Sequence, residues 1–79
     1  MAKKVNNAAV DHTEMLDRKM GEIFDWAKDN LAEKPVRVAI WNHEMEKNGQ
    51  DTMKTAEDVA WELSATDDEI KDWCNNNLK

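Results

Sequence analysis

The sequence contains no tyrosine, one phenylalanine, one cysteine, one proline and two glycines among 79 residues. Each shortage excludes something. The single cysteine, Cys74, cannot close an internal disulfide, which argues against a cystine-stapled secreted scaffold and fits a reducing cytosol. It has no second cysteine and no histidine or basic cluster beside it, so it reads as a small hydrophobe rather than a reactive thiol. Gly21 and Gly49, far apart, cannot build a phosphate-cradling loop. No apolar run is long enough for a membrane span, and the opening "MAKKVNNAAV" lacks the apolar centre of a signal peptide. The expectation is a soluble, cytoplasmic protein with no membrane partner.

Catalytic and metal chemistry are also thinly supplied. His43-Glu44 begins like a zinc-protease helix, but residue 47 is Lys where a second histidine would be needed, and His12 stands alone. Carboxylates are plentiful, yet acid–base work needs one with a shifted pKa in a cleft, and a chain this short has little room for a cleft. The reading is a non-enzyme with no cofactor and no metal.

Basic charge is scarce: 17 acids stand against 11 bases, net −6. The distribution matters more than the total. Residues 1–54 carry ten acids and nine bases, whereas residues 55–79 carry seven acids and two bases. Basic residues elsewhere, such as Arg18 and Lys19, have acidic neighbours in Asp17 and Glu22, so they read as an ordinary solvated face. The acidic third would repel a phosphate backbone and attract a basic protein surface.

What remains is a chain suited to helices. Hydrophobic residues make up 41%, enough for one core, and four tryptophans bring large apolar area with an N–H that needs a partner or a wet edge. Residues 1–10 show no periodicity and read as a flexible N-terminal arm; residues 11–79 read as a single all-helical domain. A first amphipathic helix is expected from Leu16, Met20, Ile23, Ala27 and Leu31 at steps of three and four, capped by Asp11 or Thr13. Gly21 weakens it by about 1 kcal/mol relative to Ala and leaves room for another helix to approach. Pro35 restarts the chain, and a second helix places Val38, Trp41 and Met45 on one stripe with Val36 and Ile40 beside it. Gly49 serves as its left-handed cap. A third helix begins at Thr55 with Ala56, Val59, Ala60 and Leu63 inward. A fourth begins at Thr66, where Thr66 and Glu69 have capping-box spacing, and buries Ile70, Trp73 and Cys74. No alternating strand pattern occurs. The fold class is all-α with four helices.

The stretch "TAEDVAWELSATDDEIKDW" resembles the helix-turn-helix motif of transcription regulators. The resemblance rests on Val59-Ala60, Leu63, the small pair Ser64-Ala65, Thr66, Ile70 and Trp73, with Ser64 standing where the family usually has Gly. It covers residues 36–77 and implies a tri-helical core formed by the last three helices, with the first helix as an N-terminal addition. That helix either packs on the core or pairs two copies in a homodimer.

In a DNA-binding member of that family the last helix enters the major groove. Carried over, the outward positions here are Asp67, Asp68, Lys71, Asp72, Asn75 and Asn76. Asn and Asp can contact base edges, but affinity comes mostly from phosphate neutralisation, and one lysine cannot offset three acids. Trp61, pointing away from Val59, Ala60 and Leu63 and flanked by Glu57, Asp58 and Glu62, reads as a partner anchor or as a residue covered by the first helix. The leading expectation is a small acidic regulatory protein, of a form that suits a virus or mobile element. It would bind a nucleic-acid-handling protein, transcription machinery or a defence nuclease, through Trp61 and the Asp67–Asp72 face. The alternatives are a DNA-binding helix-turn-helix regulator and an acidic mimic of DNA.

Overall fold

The structure, a computed structural model, describes residues 15–79. The expected arm and the capping positions Asp11 and Thr13 lie outside the described residues. Among the described residues the chain is all-helical and forms no strand, but its first part is not one helix. Residues 15–17 are helical, after which Lys19 adopts extended backbone with φ −71° and ψ 145°. Two short helices follow, α1 at Met20–Ile23 and α2 at Asp29–Glu33. An isolated antiparallel bridge between Lys19 and Pro35 closes this excursion. In it the Met20 amide donates to the Lys34 carbonyl at 2.8 Å, and the Val36 amide to the Arg18 carbonyl at 2.8 Å.

The break has a packing cause. In a straight helix Trp26 would face away from the stripe that contains Met20 and Ala27. With Phe24 extended, the chain turns so that Phe24 and Ala27 are both buried and Trp26 packs against the same core. Burying a large side chain is worth about 1.5–3 kcal/mol, more than the net worth of one helical hydrogen bond, about 1 kcal/mol. Gly21 does allow a close approach, and the partner is α2. A Cβ added there would lie 2.9 Å from the Cβ of Ala32 and 3.1 Å from its carbonyl oxygen.

Helix α3, Val36–Lys47, starts directly after Pro35. Its buried residues are Val36, Ala39, Ile40 and Glu44, so the stripe is rotated from the expected one: Val38 is exposed and Trp41 and Met45 are only half-buried. Gly49 ends the helix at φ +64°, in the left-handed region, as its missing Cβ permits. Helix α4, Thr52–Asp58, begins three residues earlier than the sequence suggests, because Asp51 caps it by accepting from the Lys54 amide at 3.0 Å. The side-chain amide of Asn48 donates to Thr55 Oγ1 and Asp58 Oδ2, which ties the end of α3 to α4.

After Val59 the helix tightens into a 3-10 turn, Ala60–Leu63. This changes the angular step from Ala60 on, and of the expected inward residues Val59 packs against the core while the others do not. Leu63 is 84% exposed and Ala60 and Ala56 are exposed, while Thr55 and Glu62 are buried. Ser64 has φ −119°, so this bend needs no glycine. Helix α5, Asp67–Asn77, starts at Thr66 with both halves of the capping box formed: the Glu69 amide donates to Thr66 Oγ1, and the Thr66 amide to Glu69 Oε1.

The core consists of Met15, Leu16, Met20, Phe24, Ala27, Val36, Ala39, Ile40, Ile70 and Cys74. The N-terminal excursion, α3 and α5 supply it, so the first segment packs on the core. Helix α4 and the 3-10 turn supply none of these residues; Val59 and Trp61 pack against the core from that side, and Thr55 and Glu62 are buried polar groups there.

Candidate functional site: the acidic helix and its aromatic cleft

Helix α5 is held by one face and displays the other. Ile70 and Cys74 are fully buried, while Asp67, Asp68, Lys71 and Asp72 are exposed and their side chains make no hydrogen bond or ion pair with described residues. Asp67 and Asp68 occupy the first turn, where the helix dipole favours them. Asp68, Asp72 and Asn76 follow one another at steps of four, as do Asp67, Lys71 and Asn75, so the displayed face is two adjacent rows. Asn75 differs from the rest. Its Oδ1 accepts from Trp26 Nε1 at 2.8 Å, so it also satisfies an indole of the N-terminal excursion.

Trp61 is half-buried, packs against the core and meets Trp73. Their ring centroids lie 5.6 Å apart at an interplanar angle of 35°. His43 meets Trp73 edge-on at 5.4 Å, which fixes the ring from α3. Trp61, Ser64, Ala65, Glu69 and Trp73 together line an open cleft of about 340 Å³ at the junction of the 3-10 turn and α5. Exposed Leu63 belongs to the same turn. The structure thus joins the expected anchor Trp61 to the acidic helix, and adds Glu69 and Trp73, which sequence reasoning had assigned to capping and core alone. Glu69 and Trp73 are four apart on one helix, a spacing that could have placed them together. The contact between Trp61 and Trp73 crosses a turn, so no periodicity announces it.

Two buried acids lie away from this face. Glu44 is paired with Lys47 at 2.8 Å and lies 3.9 Å from His43 Nε2. Glu62 lines a second cleft with Arg37, Val38, Trp41 and Val59. Burial raises its carboxyl above the ordinary 4.5, while the charge of Arg37 pulls the other way. Arg37 itself is held by Asp17 at 2.7 Å. The Cys74 thiol is pushed up to about 12, chiefly by burial and also by the charge of Glu62. No group of three or more metal-ligating side chains comes together among the described residues, and no helix among them is long and apolar enough to cross a membrane.

Fold and site define a small all-helical protein that displays one acidic helix beside an aromatic cleft. The chain belongs to the P8 family, whose model, described as "Probiotic-derived P8 protein", matches residues 11–79. No curated protein matches it.

Proposed function

We propose that the protein is a regulatory binding module. It acts without chemistry of its own, by docking the displayed face of α5 on a basic surface of a nucleic-acid-handling protein. The observation that carries this reading is that Asp67, Asp68 and Asp72 are exposed together on one helix and their carboxylates make no hydrogen bond or ion pair with described residues. Carboxylates held this way keep their charge for a partner and speed its approach, an effect that added salt screens. The high pKa of Cys74 speaks in the same direction, because a buried neutral thiol is a poor nucleophile.

The scaffold is proposed to be helix-turn-helix-like. Support comes from the capped start of α5 at Thr66 and from Ile70, which anchors that helix to the core. The outward-facing Ala60 and Leu63 set it apart from the usual packing of the motif. Three acids against one lysine on the face that would meet DNA disfavour use of the scaffold as a DNA reader.

The test pairs two measurements. The protein is titrated at low salt against mixed-sequence duplex DNA, and is also used to capture nucleic-acid-binding proteins from an extract, beside an Asp67→Lys/Asp68→Lys variant. The expected result is no binding to duplex, with capture by the native chain that the variant loses. Duplex binding that weakens steeply with salt would transfer the protein to the DNA-binding regulators.

A further inference from the structure

We infer that the cleft lined by Trp61, Trp73 and Glu69 receives an arginine side chain from a protein partner, flanked by apolar residues. The inference rests on the acidic-face reading above and names the chemistry of the contact. Three properties of the cleft select this occupant. Its walls include two indoles whose rings are already fixed by stacking and by His43. A guanidinium is planar and weakly hydrated, so it lies well against such rings. Glu69 also lines the cleft, and only its Oε1 is engaged by the Thr66 amide, so Oε2 is left for a donor. Finally, Asp68 and Asp72 are neighbours of Glu69 on the helix, and all three sit in a segment of seven acids and two bases. An apolar side chain alone would leave this charge unanswered. A lysine would answer it but stacks less well and offers no planar fork. The partner's apolar residues would meet Ala65 and the exposed Leu63.

The experiment uses the full chain labelled with 15N and follows its four indole N–H signals. The probes are short capped peptides carrying Leu-Arg-Leu, Leu-Lys-Leu or Leu-Gln-Leu. The Arg peptide is expected to shift the Trp61 and Trp73 signals saturably, to leave Trp41 unmoved, and to bind more tightly than the Lys and Gln peptides in that order. Trp61→Leu keeps apolar volume and should weaken Arg binding about three- to fivefold, the range of a partly exposed cation–π contact. Glu69→Gln retains an oxygen for the cap but removes the charge, and should reduce the preference of Arg over Gln. Unchanged Trp26 and Trp41 signals in both variants certify the fold.

Equal binding of the Arg and Gln peptides would overturn the inference and leave an apolar groove. Silence of Trp61 and Trp73, or shifts that follow protein concentration without peptide, would overturn it as well, the latter in favour of a second copy of the chain. The broader reading fails separately: capture unaffected by Asp67→Lys/Asp68→Lys sinks the acidic-face proposal even where the indoles respond to arginine. Lost capture with silent indoles sinks the cleft alone.

Discussion

Replacing Gly21 by alanine would ordinarily strengthen a helix, yet here the added methyl meets Ala32 at 2.9 Å on one side and its carbonyl at 3.1 Å. The excursion would have to open, and overpacking of this kind costs about 1–3 kcal/mol. Gly21→Ala is therefore expected to lower the melting temperature, and adding Ala32→Gly should recover part of the loss. Glu62 provides a second residue-scale test. Its carboxyl is raised above 4.5 by burial, so between 4.5 and that raised value the folded chain holds a proton that the unfolded chain releases. Its contribution to stability thus falls as pH rises through that window. Glu62→Gln should gain on the native chain in melting temperature between pH 4.5 and 7, whereas a constant difference would show that burial does not govern this group. The Cys74 thiol, held at about 12, should resist alkylation near pH 8 until the chain is unfolded in denaturant.

At the scale of elements, α5 is the most self-sufficient piece. Its capping box satisfies two amides, and its first turn carries three acids matched to the dipole. Thr66→Ala should lower stability by about 1 kcal/mol, read as a fall of roughly 4–8 °C in a melting curve. The acids Asp67 and Asp68 have two roles at once, since charge reversal to lysine would also oppose the dipole by about 0.3–1 kcal/mol each. Melting curves must accompany the capture experiment for that reason. The N-terminal excursion is the opposite case. Its helices span four and five residues, too short to stand alone. They depend on the Lys19–Pro35 bridge, on Gly21 against Ala32 and on the bond from Trp26 to Asn75. Trp26→Phe keeps most of the apolar body but loses that bond, and is expected to loosen the excursion before α3 or α5, as hydrogen exchange would show.

Over the whole molecule, charge and packing divide the labour. The core joins both ends of the described chain, residues 15–27 with α3 and α5, while α4 and the 3-10 turn supply none of its buried residues and carry Trp61 to Trp73. All four tryptophans end half in and half out, the place an indole with a polar N–H favours. The acidic face lies on a helix that Ile70 and Cys74 tie to the core, so its carboxylates stand on the side turned away from those two residues. Partner binding through that face should weaken as salt rises, yet keep a residue-specific part that Trp61→Leu removes. Binding that disappears completely with salt and ignores Trp61 would instead describe a DNA mimic working by charge alone.

Several features were legible without coordinates because they rest on neighbours in the chain. Thr66 and Glu69 form their capping box three residues apart, Gly49 ends α3 where a positive φ is needed, and the acidity of residues 55–79 is a matter of counting. The all-helical class follows from the same local periodicities. The rest was decided by contacts distant in sequence. A steady step of three and four suggested one helix through Leu16, Met20, Ile23, Ala27 and Leu31. Burial of Phe24 and Ala27, together with Trp26 reaching Asn75 across 49 positions, outweighed its continuity. Likewise the 3-10 turn at Ala60–Leu63 turned Leu63 outward and Glu62 inward. Local spacing assumes a constant angle per residue. Only the competition among tertiary contacts determines where that angle changes, and here the change is what places Trp61 beside the acidic helix.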